Sequence, residues 1–378
     1  MRGQNRAPAL VWAEVDLTQL KRNLRVIRAR LAGTPAEILA VVKADAYGHG
    51  MKAVARTLRA AGVRFFGVAN IDEAEELREV CPRENILVLG SFHGSQVPRY
   101  IRHRVIPTVS SPEDVAVLEA ALPERGSAFP VHVKVDTGMG RLGVWHEEAE
   151  DFFGKIACKK MIRVEGIYTH FANADKSQKR FTSDQIRLFN RTIEAASRQG
   201  LRPRYLHAAN SLGLIRFPGA HFNLVRPGII LYGLNPSSTG GLPRGIKPIL
   251  SLKTRISFLK VVGKGRVISY GSTYKTPRKT RIATLPVGYS HGYRVGFSNK
   301  ASVIVRGVKC PVAGRVTMDQ TLVDVGRLRS VKRWDEVTLI GKDKRSRITA
   351  RDLANLIDSI SYEIACSIHS RIPRVYRH

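Results

Sequence analysis

Eight short apolar runs alternate with amphipathic segments between residues 37 and 227, and this alternation constrains the fold more than any other feature. The runs cover residues 38–42, 65–69, 86–89, 105–109, 131–135, 164–168, 205–208 and 224–225. The segments between them, such as 72–80 and 183–199, have helical periodicity. Eight strand–helix units on a span of this length predict an α/β fold with an N-terminal (β/α)8 TIM barrel, and a doubly wound sheet is the competing architecture.

Polar residues gather where these apolar runs end. They are Lys43, residues 136–141, His170, residues 207–211 and Arg226. A barrel of parallel strands carries its active site at the carboxyl ends of the strands, whichever reaction it catalyses. Lys43 after the first strand and Arg226 after the eighth therefore become neighbours in a closed ring.

A second domain is predicted after about residue 243, where the pattern changes. Segments 249–262, 281–287, 302–305 and 337–340 have β-rich apolar character and are separated by Gly and Pro. Thr349 and Asp352 form a capping box before a predicted helix at 353–368. We expect a barrel at 11–243 and a mostly β C-terminal domain at 244–378. A strand at 10–17 is a candidate to pack with this second domain instead of the barrel.

The chain is strongly basic, with a formal net charge of +31. Such a charge favours nonspecific binding to nucleic acid or anionic surfaces. The lysines and arginines are spread along the whole chain, however, so we expect no specific nucleic-acid partner. The four cysteines are scattered without a Cys-x-x-Cys pair and predict neither a metal site nor a disulfide framework. The sequence has no signal-peptide core or membrane-length apolar run, and we expect a cytoplasmic location without a membrane partner.

Lys43 ends the first apolar run, in the sequence Val-Val-Lys-Ala-Asp-Ala-Tyr-Gly-His-Gly over residues 41–50. Desolvation lowers the pKa of an amine at such a position and makes the amine nucleophilic. A nucleophilic amine suits a Schiff base with a carbonyl cofactor, above all pyridoxal 5'-phosphate (PLP). From this physical argument alone, the more common outcome is a lysine at a strand end whose ammonium group simply reaches water.

Segment 41–50 closely resembles the PLP-lysine motif of bacterial alanine racemases. The resemblance extends from about residue 12 to residue 374, and several motifs follow in the family's order. It implies that Lys43 forms the Schiff base with PLP. It also implies further cofactor contacts from Tyr47, Arg141, His170, Ser211, Arg226, Gly228, Ile229 and Tyr362.

The barrel motifs of the family give these residues particular roles. In segment 134–143 the resemblance implies that Arg141 hydrogen-bonds the PLP ring hydroxyl and contacts the substrate. It also implies that Lys134 is carboxylated, and a plain ion pair between Lys134 and Asp136 is the alternative. Segments 206–211 and 225–233 resemble the phosphate cradle, in which Ser211 acts with the backbone N–H groups of Gly228 and Ile229.

Segment 286–293 resembles the motif of the catalytic tyrosine, which corresponds to Tyr289. The resemblance implies a two-base mechanism that uses Lys43 and Tyr289, with the backbone of Met318 binding the substrate carboxylate. It also places His170 behind the catalytic tyrosine. His291 stands where the family usually has Asp, which puts the electrostatics of this loop in question.

Arg226 separates two possible reactions of a barrel-type PLP enzyme. In the racemases the matching arginine faces the PLP ring nitrogen, and a guanidinium does not give up its proton there. The nitrogen then stays unprotonated and the cofactor is a weaker electron sink, which is sufficient for racemisation. Barrel-type PLP decarboxylases typically use an acid at this position, so Arg226 favours a racemase.

The resemblance implies a homodimeric alanine racemase with shared active sites, and we expect no metal. Its substrates are L-alanine and D-alanine, and D-alanine would supply peptidoglycan synthesis. A serine racemase or a racemase of broad specificity shares this scaffold. A PLP decarboxylase is disfavoured by Arg226 and Tyr289, and a PLP-carrier protein is disfavoured by the second domain. A nucleic-acid-binding protein is suggested by charge alone, without a recognised module.

Overall fold

The chain divides into two units in the computed structural model, which describes residues 9–123, 126–174, 179–235 and 241–378. Residues 21–46 and 51–246 belong to the first unit. The second unit contains the described residues up to 20, together with 47–50 and 247–378. Each unit has its own core of fully buried aliphatic and aromatic side chains.

Among the residues that the structure describes, ten strands and nine α-helices precede residue 236. The strands are β1 (Val11–Asp16), β2 (Glu37–Val41), β3 (Phe65–Val68), β4 (Asn85–Val88), β5 (Thr108–Val109), β6 (Phe129–Asp136), β7 (Val144–Trp145), β8 (Ile162–Tyr168), β9 (Tyr205–His207) and β10 (Leu224–Val225). The helices are α1 (Leu17–Arg30), α2 (Lys43–Gly48), α3 (Met51–Ala60), α4 (Ile71–Arg78), α5 (Val97–His103), α6 (Pro112–Ala121), α7 (Ala149–Ala157), α8 (Lys179–Arg198) and α9 (Ser211–Arg216). Across the described ranges, we find no helix that is both long and apolar enough to span a bilayer.

Eight of these strands form a closed parallel barrel in the first unit. One sheet has the order β10-β2-β3-β4 and the other has the order β5-β6-β8-β9, with β7 paired to the end of β6. A parallel bridge between Leu87 and Ile106 joins the two sheets on one side. On the other side the Arg226 N–H donates to the Ala209 carbonyl at 2.9 Å. The predicted (β/α)8 barrel is confirmed, and the doubly wound sheet is wrong.

The fourth barrel strand is shorter than its apolar run at 105–109, because only Thr108 and Val109 pair regularly. Pro107 has no N–H to donate to a neighbouring strand, so regular pairing starts after it. Its carbonyl still accepts the His132 N–H at 3.1 Å, which keeps this part of the chain against β6.

The second unit is mostly β-structure, as predicted. Its later elements are β11 (Leu250–Arg255), β12 (Phe258–Val262), β13 (Val267–Ile268), β14 (Tyr274–Lys275), β15 (Thr280–Leu285), β16 (Ser302–Val305), β17 (Val308–Pro311), β18 (Thr321–Asp324), β19 (Glu336–Asp343), β20 (Ser346–Ile348), α10 (Ala350–Asn355), α11 (Ser361–Cys366) and β21 (Arg374–Arg377). The largest sheet has the order β17-β16-β19-β11-β1-β21, with β20 on β19. β1 runs antiparallel to β11 and parallel to β21, so this N-terminal strand is part of the second unit.

The single late helix expected at 353–368 is wrong, because two short helices occupy this region. The capping box before the first helix is present: Thr349 Oγ1 accepts the Asp352 N–H at 3.1 Å, and Asp352 Oδ2 accepts the Thr349 N–H at 2.8 Å. The helix ends after Asn355, since Asp358 has a positive φ of 49° and Ile360 is extended. The second helix then starts at Ser361.

Candidate active site

Lys43 lies directly after β2 and Val42, at the start of α2, and α2 is a left-handed turn. Its residues 44–47, which include no glycine, have φ values of 52–54°. Each L residue in this conformation costs roughly 1–2 kcal/mol, so the turn requires support from its surroundings. Glu73 Oε1 accepts the Ala44 N–H at 2.7 Å, and Asp45 Oδ1 accepts the Met51 N–H at 2.7 Å. These two carboxylates hold the start and the end of the turn.

Three cationic side chains from the ends of the barrel strands, Lys43, Arg141 and Arg226, lie close enough to act electrostatically on Lys134. Lys134 is buried near the end of β6, and its Nζ lies 5.7 Å from the centroid of the Tyr168 ring. Burial lowers the pKa of Lys134 to about 8, and the charges of Arg141, Arg226 and Lys43 contribute to this shift. Such a concentration of positive charge fits a bound anionic group.

His170 belongs to the same group of side chains. Burial lowers the pKa of His170 well below 6.5, and the charges of Arg226, Lys134, Arg141 and Lys43 lower it further. Its ring is therefore neutral at physiological pH, and it offers a nitrogen lone pair beside the cations.

Asp136 organises the loop that carries Arg141. Its Oδ1 accepts the N–H groups of Gly138 and Met139 at 2.8 and 2.7 Å, and its Oδ2 accepts the Arg141 N–H at 3.0 Å. Among the described residues Asp136 and Lys134 form no ion pair within contact distance, although the Asp136 charge raises the pKa of Lys134 from further away. The carboxylate instead fixes the backbone from which the Arg141 side chain extends.

A chain of buried hydrogen bonds runs from Arg226 through two histidines. Arg226 NH1 donates to His207 Nδ1 at 2.9 Å, and His207 Nε2 lies 2.9 Å from His132 Nδ1. An arginine only donates, so His207 carries its proton on Nε2 and donates that proton to His132. The Tyr168 ring stacks on His207 with ring centroids 4.6 Å apart. The chain fixes the tautomer of each ring.

The guanidinium of Arg226 is also held by backbone groups. Its NH2 donates to the carbonyls of Thr169 and Ala208 at 2.7 and 2.9 Å and lies 3.4 Å from His170 Nδ1. Burial lowers the pKa of Arg226 to about 10, so its charge persists at neutral pH. Arg226 has no carboxylate partner among the residues that the structure describes. A fixed, charged donor of this kind suits a neutral acceptor such as an aromatic ring nitrogen.

The segments after the seventh and eighth barrel strands meet at Ser211, the first residue of α9. Ser211 Oγ accepts the Gly228 N–H at 3.1 Å and the Ile230 N–H at 3.5 Å, while Ile229 is buried between these two residues. Asn210 caps α9 by accepting the N–H groups of the next turn. Ser211, Gly228 and Ile229 are therefore together, at the place where (β/α)8 barrels commonly bind phosphate.

In the second unit, Tyr289 and Met318 lie side by side. The Tyr289 N–H donates to the Thr317 carbonyl and the Ser290 N–H donates to the Met318 carbonyl, both at 3.0 Å. Tyr289 and Met318 are 44% and 54% exposed, so both residues are accessible to another molecule. Ser290 Oγ donates to Asp319 at 2.7 Å, which links the two segments again.

His291 accepts the Gly288 N–H through Nδ1 at 3.3 Å and so closes the turn that presents Tyr289. Burial lowers the pKa of His291, and the charges of Arg371 and His369 add to this effect, while Asp319 opposes it. The neutral ring therefore serves as the acceptor at this position. Tyr47 and Tyr362 form a separate pair in this unit, with ring centroids 6.1 Å apart. Burial raises the pKa of Tyr362 to about 12.

Sequence reasoning missed three contributors to this site: the His132–His207 pair, the carboxylate of Glu73 and the left-handed turn. A signal for the first was available, because strand alternation places His132 and Lys134 on the same face of β6. The pairing of His132 with His207 depends on the register between β6, β8 and β9, which the sequence does not reveal.

The fold and the site together define a two-domain (β/α)8-barrel protein with cationic side chains grouped at the carboxyl ends of its barrel strands. The chain belongs to the alanine racemase family. The family's N-terminal domain model matches residues 15–236, and its C-terminal domain model matches residues 249–376.

Relatives of this family match almost the whole chain. It is 43% identical over 367 residues to an alanine racemase of Halothermothrix orenii, covering 97% of each chain. It is 41% identical over 369 residues to that of Carboxydothermus hydrogenoformans, covering 97% of this chain and 99% of the relative. Among solved structures, the alanine racemase from D-cycloserine producing Streptomyces lavendulae superposes with a TM-score of 0.93. It is 33% identical in sequence, and 98% of each chain is covered.

Proposed function

We propose that this chain is a PLP-dependent racemase that interconverts L-alanine and D-alanine. The observation that carries the proposal is that the barrel strand ends carry Lys43, the fixed guanidinium of Arg226 and the turn closed by Ser211, which are the groups that the carbonyl, ring nitrogen and phosphate of PLP require. Lys43 would hold the cofactor carbonyl covalently. When bound, PLP would take up the negative charge that remains on the substrate Cα after proton loss.

The remaining donors match the parts of PLP. Ser211 and the backbone N–H groups of Gly228 and Ile229 would hold the phosphate, with Tyr47 and Tyr362 completing the cradle. Arg226 would donate to the ring nitrogen from its fixed position. Because a charged arginine leaves that nitrogen unprotonated, Arg226 supports racemisation over decarboxylation.

The other polar groups would orient the substrate. Arg141 would hydrogen-bond the ring hydroxyl oxygen and approach the substrate carboxylate, which the Met318 backbone would also bind. Lys134 would carry a carbamate, formed when its neutral amine adds to carbon dioxide and loses a proton. The resulting negative charge would pair with Arg141 and fix its orientation.

Two bases would move the Cα proton. Racemisation requires that a proton leaves one face of the substrate and that another arrives on the opposite face. Tyr289 would take the proton of L-alanine, and Lys43 would take the proton of D-alanine. His170 would support the Tyr289 that the partner chain contributes to the same site. Each base would return a proton to its own face in the reverse direction.

We also propose a homodimer in which Tyr289 and Met318 serve the site of the partner chain. The support is that both residues lie in the second unit and are half exposed, whereas Lys43 lies in the first. Mixing inactive Lys43→Ala and Tyr289→Phe chains should restore part of the activity, because one mixed site keeps both groups. Heterodimers without activity would contradict shared sites. We place the enzyme in the cytoplasm, supplying D-alanine for peptidoglycan.

The decisive test of specificity is a racemisation assay of the PLP-loaded protein. Both enantiomers of alanine, serine and several larger amino acids are supplied, and the products are separated on a chiral column. We expect turnover of alanine in both directions at the highest kcat/KM. Higher kcat/KM for serine would replace the substrate assignment, and release of carbon dioxide would favour a decarboxylase.

A further inference from the structure

We propose that Glu73 is the positioning residue for Lys43, an inference that rests on the proposed role of Lys43 in holding the cofactor. Glu73 is in the first turn of α4, and its N–H donates to the Asn70 side chain at 2.9 Å. Its Oε1 accepts the Ala44 N–H and its Oε2 accepts the Ala69 N–H, both at 2.7 Å. One carboxylate therefore ties the residue after Lys43 to the residue after β3.

This bond completes a clamp on the backbone of Lys43. On the preceding side, the Val42 N–H donates to the Gly67 carbonyl of β3 at 2.9 Å. On the following side, the Ala44 N–H donates to Glu73. Val42 is thus anchored to β3 and Ala44 is anchored to α4, the helix that follows β3. A small rotation of this backbone would move the amine much further, because the amine ends a long side chain.

The left-handed turn makes the clamp necessary. A run of L residues such as Ala44–Tyr47 does not favour positive φ by itself, and it persists only where the surroundings determine it. Asp45 holds the end of the turn through Met51, and Glu73 holds its start. Without Glu73, the first N–H of the turn would lose its acceptor, and the peptide after Lys43 would be able to rotate.

Only a carboxylate of this length makes both bonds. The amide of Gln has one oxygen and one NH2 group, so one of the two N–H groups would face another donor. Asp is one methylene shorter and cannot span the same two N–H groups from the same backbone. Glu76, on the same helix, has a side chain that is 51% exposed and lies 3.8 Å from Lys52 Nζ. Glu76→Gln is therefore a matched control that removes an equal charge away from Lys43.

The test compares the wild type, Glu73→Gln and Glu76→Gln in three measurements. Cofactor-stripped protein is mixed with PLP and reduced with borohydride at intervals, and mass spectrometry gives the rate of adduct formation at Lys43. Amide hydrogen exchange in peptides covering 43–51 measures how readily the left-handed turn opens, and this measurement does not depend on catalysis. Steady-state kinetics with alanine give kcat and KM separately.

We expect Glu73→Gln to slow adduct formation at Lys43 about 10-fold and to accelerate exchange in 43–51. We expect kcat to fall up to about 100-fold while KM stays nearly constant, since a displacement of about 1 Å has this effect on positioned groups. Glu76→Gln should match the wild type in all three measurements.

Wild-type adduct formation and wild-type exchange in Glu73→Gln would overturn the proposal, whatever its activity. A loss of kcat with unchanged exchange in 43–51 would also contradict it. If Glu73→Gln does not fold, Glu73→Asp keeps the charge in the first turn of α4 and provides the same comparison. Failure of the wild type to form the adduct at Lys43 would instead contradict the proposed function, so the two failures are distinguishable.

Discussion

The buried histidine pair predicts how the stability of the barrel depends on pH. Arg226 donates to His207 and His207 donates to His132, so both rings are neutral in the folded chain. Burial, followed by the charges of Arg226 and Arg163, lowers the pKa of His132 from 6.5 to about 3. Because the folded pKa lies below the unfolded one, the unfolded chain binds the extra proton. The contribution of the neutral His132 to the free energy of unfolding is therefore fully present above pH 6.5, and it is lost as the pH falls towards 3.

The magnitude follows from this difference in pKa. Each pH unit in the window costs about 1.4 kcal/mol per histidine, so a fall from pH 6.5 to about pH 5 costs about 2 kcal/mol through His132 alone. The variant His132→Gln keeps an oxygen that accepts from His207 Nε2, but it does not titrate. We expect it to lose about 2 kcal/mol less than the wild type over the same interval.

Urea unfolding followed by circular dichroism at a series of pH values measures this difference. The exposed His93 provides the control, since His93→Gln should keep the pH dependence of the wild type. If the unfolding free energy depends on pH equally in the wild type and in His132→Gln, the claim that both histidines are neutral in the folded chain is refuted.

Three further predictions concern the proposed site. Arg226→Lys removes the guanidinium group that donates to His207 and to two backbone carbonyls. The free energy of unfolding should fall by about 2–3 kcal/mol in urea titrations. An unchanged urea midpoint would contradict the hydrogen-bond network. Lys134 should form a carbamate more readily as the pH rises through about 8, where its amine becomes neutral. Carbon-13 NMR with labelled bicarbonate should show a carbamate signal that Lys134→Gln lacks, and equal signals in both would exclude Lys134. Tyr289→Phe should slow exchange of the α-proton in deuterated water far more for L-alanine than for D-alanine, and equal loss would remove Tyr289 from a face-specific role.

The barrel could be predicted because its signal is repeated eight times and depends on composition over whole segments. The predicted bounds of secondary-structure elements were wrong where a single residue changed the local backbone conformation. Pro107 shortened β5, and the positive φ of Asp358 divided the late helix, although the apolar pattern continued through both places. Such local backbone preferences are weak in the sequence and are decided by tertiary packing.

The gathering of Lys43, Lys134, Arg141, His170 and Arg226 could be predicted from topology, since all of them follow or end barrel strands. Details that depend on side-chain geometry could not be predicted in this way. The alanine-rich sequence after Lys43 gives no sign of a left-handed turn. The two acceptor bonds of Glu73 join segments that are 29 and 4 residues away, and they require the packed position of α4.

The measurement that most directly tests the central claim is the location of the cofactor in the PLP-loaded enzyme. Borohydride reduction followed by proteolysis and mass spectrometry should place the pyridoxyl adduct on Lys43. The variant Lys43→Ala should lose both the adduct and the racemisation of alanine. An adduct on another lysine, or racemisation that persists in Lys43→Ala, would contradict the account.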